Sequence, residues 1–294
     1  MKNLFYYIFR PLGALIGVMP RFVQLLIGEV LYLALYKIAR YRVGVTTENI
    51  ARSLPHLNEK EQKTIRRKFY RHLSDVFVET IALSAMSEKN LRKRMVFTNA
   101  DQIETLTKGQ SWICAMAHYG SWEYTISYAL HTKHDGILAV YHTLQDAGAD
   151  KFYKQMRQRF GAEPVPMEAI GRKLLLSKRD GKTYGVALIA DQNPPPSLKR
   201  FQWVDFLSQK SLFFGGTEIL ARKMNLPVMF LRVDKVKRGY YTATFVPLYD
   251  GTENIEEGEI IKRYSGALEQ MILERPELWM WSHKRWKRKY PFND

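Results

Sequence analysis

Trp112-Ile113-Cys114-Ala115-Met116-Ala117-His118-Tyr119-Gly120-Ser121-Trp122-Glu123 is the stretch on which the reading of the fold turns. Its first six residues form an apolar run too short for a helix and suited to a strand buried on both faces. The run stops at His118, Gly120 allows a turn, and Ser121 stands as a cap before an apolar-periodic stretch with Glu123 in its first turn. A strand that hands over to a helix within a few residues is the building unit of an α/β fold. Working outward, further strands are expected at 111–117, 137–141, 184–190, 227–233 and 241–247. Helices are expected at 121–131, 146–160, 169–179, 211–225 and 255–274. The alternation predicts an α/β domain with a mixed, mostly parallel sheet flanked by helices.

Upstream, residues 46–94 read as a helical lead-in to that domain, capped by Thr46 or Thr47. A long amphipathic stretch runs from Asn58 to Met86. Within it Phe69, Leu73, Val76, Phe77 and Ile81 recur at helical spacing, against a basic face of Lys63, Arg66, Arg67, Lys68 and Arg71. Residues 1–45 differ in kind: from Leu4 to Ala39 they are apolar or aromatic almost throughout, broken by Arg10-Pro11, Pro20-Arg21 and Glu29. The segment is too long for a signal peptide and carries on into Lys37, Arg40 and Arg42, so no cleavage is expected. Arg21 divides it into pieces near or below the roughly 20 apolar residues that a spanning helix needs. A hydrophobic helical membrane anchor, monotopic or single-pass, is expected, with flanking basic residues against anionic headgroups. The alternative is a buried core helix. No Ser/Gly-rich linker or repeat divides residues 46–294.

Composition narrows the chemistry. With 45 Lys+Arg against 29 Asp+Glu, the formal charge of +16 favours nucleic acid, anionic lipid or an acidic protein as partner. The single cysteine, Cys114, allows no internal disulfide and no Cys-rich zinc site, and it lies inside the apolar run as a core residue. No G-x-S-x-G elbow, P-loop or G-x-G-x-x-G run occurs. His131 and His134 lack ligating neighbours beyond Asp135, so no metal is expected.

His118 and Glu123 then remain as the pair that carries chemistry. On one continuous helix they would point about 140° apart, but with Gly120 turning the chain the two side chains can meet. A carboxylate on one imidazole nitrogen leaves the other free to take a proton from a hydroxyl. Backbone amides near Gly120 to Trp122, at a helix start, are candidates to receive an oxyanion. The same two residues also read as a satisfied histidine at a strand end and a carboxylate complementing the helix dipole. At the C-terminus, Leu278-Trp279-Met280-Trp281-Ser282-His283-Lys284-Arg285-Trp286-Lys287-Arg288-Lys289-Tyr290 interleaves basic and aromatic residues. Such a mixture suits RNA or a membrane interface, and the apolar N-terminus favours the interface.

Four blocks in order along nearly the whole chain resemble the late acyltransferases of lipid A biosynthesis, the lauroyl and myristoyl transferases of the lysophospholipid acyltransferase superfamily. They are Ala117 to Glu123, matching a His-x4-Asp/Glu block; Leu188-Ile189-Ala190-Asp191-Gln192-Asn193-Pro194; Val204-Asp205-Phe206-Leu207 with Gly216 to Ala221; and Pro276 to Lys287. The resemblance implies a glycerol-phosphate-acyltransferase-like fold without a cofactor. It implies an acyl carrier protein thioester as donor, a phosphorylated lipid A precursor as anionic acceptor, and residence at the cytoplasmic face of a bacterial inner membrane, with no nucleic acid partner. His118 and Glu123 take the catalytic places. Gly120, Trp122, Asp191 and Gln192 fall in substrate-binding blocks, and Arg159, Arg172, Lys199, Arg200, Lys284 and Arg285 are candidate phosphate contacts. The chain departs from the pattern near Met167, where a basic residue is usual, and from Ser208 to Phe214. Alternatives are an acyltransferase for another lipid, such as a lysophospholipid or amino-acid lipid, and a non-catalytic membrane or RNA binder acting through the basic tail.

Overall fold

Asn58 opens the longest helix, and its surroundings show how local sequence starts the fold. Its side chain accepts hydrogen bonds from the Lys60 and Glu61 N–H groups, and the Glu61 carboxylate accepts one from Asn58 N–H at 2.8 Å. This reciprocal box satisfies donors that a helix end leaves unpaired. The structure is a computed structural model, which describes residues 3–194, 201–288 and 290–291. In chain order the helical lead-in comprises α1 (Leu4–Val18), α2 (Arg21–Tyr32), α3 (Val43–Ser53), α4 (Glu59–Leu83) and α5 (Glu88–Arg94), with a π-helical turn at Leu33–Ile38. There follow β1 (Met95–Phe97), α6 (Ile103–Leu106), β2 (Trp112–Met116), a 3₁₀ helix at Trp122–Leu130, β3 (Gly136–Tyr141), α7 (Ala147–Gln158), β4 (Ala162–Pro166), α8 (Ile170–Arg179) and β5 (Tyr184–Ile189). The chain then forms β6 (Phe201–Phe206), β7 (Gln209–Phe214), α9 (Gly216–Met224), β8 (Val228–Lys237), β9 (Tyr240–Tyr249) and α10 (Glu259–Glu274).

Seven strands form one sheet in the order β1-β9-β8-β2-β5-β3-β4. The five from β8 to β4 run parallel, and the β8–β9 hairpin turns β9 and its parallel neighbour β1 the other way. The expected mixed, mostly parallel sheet flanked by helices is present. Strand β2 is buried at every position because it lies inside the sheet with helical segments over its faces.

Two expectations are corrected. Residues 211–214 are not the start of a helix: they belong to β7, paired antiparallel with β6, and the helix begins at Gly216. The two-residue turn at Leu207-Ser208 has φ of 51° and 59° without a glycine, so it lacks the usual composition of a hairpin turn. The helix expected at 121–131 is wound as 3₁₀, with Thr125 and Ser127 hydroxyls donating to the carbonyls of Trp122 and Tyr124 three residues back. The short strands β1 and β4 were too brief to stand out by pattern.

The expected hydrophobic N-terminal helices are present, in pieces. Among the described residues no single helix is long and apolar enough to cross a membrane. The N-terminal run is two short helices parted at Met19-Pro20, where proline has no N–H to continue a helix. Both lie on α4. A Cβ on Gly13 would stand 2.0 Å from Ser84 Oγ, and one on Gly17 would stand 2.9 Å from the Ala82 carbonyl, so glycine at this four-residue spacing sets the close approach. The outer stripe, with Leu4, Tyr7, Leu15, Phe22, Leu26 and Val30, is exposed.

Charged groups tie these helices down. Arg21 pairs with fully buried Glu79 at 2.7 Å, and Arg238 holds both Asp75, through two hydrogen bonds, and Glu29. Next to them His72 is buried, with Lys235 Nζ at 3.4 Å from its Nδ1. Burial, and then the Lys235 charge, hold the His72 pKa well below the ordinary imidazole value. The folded state therefore keeps His72 neutral while the unfolded chain takes a proton at about pH 6.5, so stability is lost as pH falls below that value. The melting temperature should drop on titration from about pH 7.5 to about pH 5, and His72→Leu should make that slope shallower. Equal slopes for the two proteins would show that His72 titrates normally.

Candidate active site

The parallel register of β2 and β5 builds the centre of the site. Met116 lies opposite Ile189, and the Ala190 N–H donates to the Met116 carbonyl at 3.1 Å. Two residues further along each strand, in the same alternation, come His118 and Asp191. They meet: His118 Nδ1 is 2.8 Å from Asp191 Oδ1. The other oxygen, Oδ2, accepts a hydrogen bond from the Trp279 indole N–H at 2.9 Å. Burial works against the Asp191 anion, but the His118 charge and hydrogen bond, followed by the Trp279 N–H, outweigh it and hold the pKa below the ordinary carboxylate value. An ionised Asp191 accepts only, so Nδ1 carries the proton and Nε2 is left as the basic nitrogen of the ring. The pair sits at the carboxyl ends of parallel strands, where open α/β sheets bind their ligands.

Glu123 does not orient His118, as the spacing had suggested. Gly120, at φ +61°, turns the chain, and a Cβ there would stand 2.9 Å from Val233 Cγ1. The tight 3₁₀ start then directs Glu123 to α7, where Arg157 donates to both its oxygens, at 3.1 Å from Nε and 2.7 Å from a terminal nitrogen. Burial disfavours the Arg157 cation, but the Glu123 charge and hydrogen bonds more than compensate, and its pKa stands above the ordinary guanidinium value. Arg157 was not anticipated. The expected phosphate contact two residues on, Arg159, instead donates to the Leu83 carbonyl at 3.1 Å, on α4. Only the amphipathic pattern of α7 hinted at Arg157, as a basic residue in its last turn.

Beneath the 3₁₀ helix runs a narrow apolar cavity. Its floor is the alternating face of three parallel strands: Trp112, Cys114 and Met116 from β2, Ile137 and Ala139 from β3, and Gly185, Ala187 and Ile189 from β5. Residues of the 3₁₀ helix cover it, and Glu123, Arg157 and Trp122 line its polar end. From Trp112 to Met116 the floor spans about 13 Å, at about 3.3 Å per residue. The Trp122 ring, which lines this cavity, also meets the His118 ring edge-on with centroids 5.3 Å apart.

The remaining expected contacts are scattered. Arg172 and Lys284 are exposed, and Gln192 is half-buried beside Asp191. Lys199 and Arg200 lie outside the described residues. Arg285 is 2 % exposed, so it is not a surface phosphate contact. Gly120 N–H is engaged by the Leu278 carbonyl at 3.0 Å and is removed from the expected oxyanion donors. Trp279 and Trp281 are core residues rather than headgroup-level aromatics, which also takes them from any base-stacking surface. No group of residues suited to a metal ion occurs among the described residues.

The chain matches no curated protein sequence. A family model described as "Bacterial lipid A biosynthesis acyltransferase" matches residues 3–288, nearly its whole length.

The Glu123–Arg157 pair is bidentate, with Glu123 buried and Arg157 half-buried, so removing Arg157 strands a buried carboxylate. Arg157→Leu should cost about 3–5 kcal/mol of stability, and adding Glu123→Gln should recover part of that loss. Denaturant melts of both singles and the double variant test this. Additive losses would show that the two side chains do not depend on each other.

Proposed function

We infer, for a chain that belongs to the bacterial lipid A biosynthesis acyltransferase family, that it moves a fatty acyl chain from an acyl carrier protein thioester to a hydroxyl of a lipid A precursor. Family membership makes it an acyltransferase. The observation that carries the finer reading is the His118–Asp191 hydrogen bond close to the polar end of an apolar cavity. In this reading His118 Nε2 takes the proton of the acceptor hydroxyl as its oxygen attacks the thioester carbonyl. The C–O bond forms, the C–S bond breaks, and the proton passes from His118 to the departing thiolate. Positioned general-base catalysis of this kind is worth about 10²- to 10⁴-fold, enough for an acceptor carbon already activated as a thioester. The acyl chain lies over the β2, β3 and β5 floor, and the Glu123–Arg157 pair closes one wall beside the reacting end.

Donor and place follow from charge and surface. An acidic carrier protein and an anionic glycolipid both suit a surface of formal charge +16. The exposed apolar stripe of α1 and α2, flanked by Arg10, Lys37 and Arg40, supports a monotopic seat on anionic lipid at the cytoplasmic face of the inner membrane.

Two measurements test the reading. With labelled acyl-carrier protein and a phosphorylated lipid A precursor in detergent, wild type should transfer, and His118→Ala should lose about 10²-fold or more while remaining folded at the assay temperature. Full turnover by His118→Ala removes the mechanism, and transfer only to a lysophospholipid moves the acceptor. Ala187→Leu, which fills the cavity floor, should shift preference toward shorter acyl donors. An unchanged chain-length profile would place the acyl chain elsewhere.

A further inference from the structure

A polar group that the catalytic reading does not use reaches Asp191 from the C-terminal segment. Trp279 donates its indole N–H to Asp191 Oδ2 at 2.9 Å. Arg285, in the same segment, is buried with Nε and both terminal nitrogens lacking a hydrogen-bond partner among the described residues. Its guanidinium lies 4.4 Å from the centroid of the Phe213 ring. A buried cation without hydrogen bonds is costly, and a ring face offsets part of that cost.

The segment is rigidly mounted. It pairs with the strand end that carries His118: the Met280 N–H donates to the His118 carbonyl at 3.1 Å, and the Leu278 carbonyl accepts from Gly120. Asn49 on α3 donates to the carbonyls of Trp281 and His283, each at 2.8 Å, and Arg42 donates to the Ser282 carbonyl at 3.1 Å. Trp279 is wedged edge-on between Trp281 and Phe206. One element thus grips the His118 backbone and the Asp191 side chain together.

We propose that residues 279–285 are the positioning element of the His118–Asp191 pair, with the Trp279 N–H fixing the carboxylate's orientation. Trp279 is a positioning residue that acts through Asp191. The inference deepens the reading of His118 as the base. The charged and titratable groups around the pair are His283 and Arg285 from this segment and Tyr264 from α10, with Arg42 ahead of α3 acting on His283. Burial, then the His118, Arg285 and Arg42 charges working against Asp191, brings the His283 pKa down to about 4, so His283 stays neutral through the range of the test.

Trp279→Phe keeps the ring and removes only the donor. In the full-length protein in detergent, its kcat should fall by about tenfold to a hundredfold with KM held, the scale of a lost hydrogen bond to a charged group. The acidic limb of its pH profile should move to higher pH, because a carboxylate that loses a donor binds its proton more tightly. ¹⁵N spectra of the His118 ring, assigned by loss of the signal in His118→Gln, read the tautomer independently of turnover. Wild type should hold the proton on Nδ1 and Trp279→Phe should mix the two tautomers. An unchanged tautomer and pH limb in Trp279→Phe overturns the proposal. Full turnover by His118→Ala would instead remove the base, while the ring spectra still decide whether the C-terminal segment positions the pair.

Discussion

Two neighbouring parallel strands end level with each other, and the site depends on that register. With Met116 opposite Ile189, the next residues on the same face are a histidine and an aspartate, and the 2.8 Å contact between them follows from the spacing of the strands. A shift of one residue would turn the whole face over and put Asp191 on the far side of the sheet. The burial of β2 at every position makes such a shift expensive, so the apolar run that forms the strand also enforces the alignment of the polar pair beyond it.

That face serves two ends. Along its length it presents only apolar side chains, which form the floor of the cavity. At its carboxyl end it presents groups that can move a proton. Placing a charged pair at such a boundary needs compensation, because an anion leaving water loses solvation that only close partners return. Asp191 has His118 and Trp279, and Glu123 has both donors of Arg157. The two carboxylates are thus assigned to different tasks by their partners. One orients an imidazole, and the other is locked in an ion pair on the cavity wall.

The helices that open the chain are built into the same body. Glycines at positions 13 and 17 bring α1 against α4, and the pairing of half-buried Arg21 with buried Glu79 fixes α2 through a charge that no apolar surface could replace without leaving its partner stranded. Their outer faces remain apolar and exposed, as a surface helix resting on lipid would be. From α3, Asn49 reaches the C-terminal segment and so joins the first and last parts of the chain beside the site.

Much was legible from one sequence. The apolar runs and their spacing indicated an α/β sheet with flanking helices, because periodicity is a local property of the chain. The block from Ala117 to Glu123 marked the site, since a histidine where a strand stops and a glycine turns is visible in order. The partner of His118 was not legible. Asp191 lies 73 residues away and is adjacent only because β5 lies beside β2 in the sheet, a choice made by packing. Nor was the fate of the C-terminal tryptophans, whose aromatic and basic composition suits a surface as well as a core until neighbouring elements cover them. Local pattern determined the elements and the position of the histidine. The tertiary structure decided which carboxylate it holds, because strand order and register bring together residues that no local spacing connects.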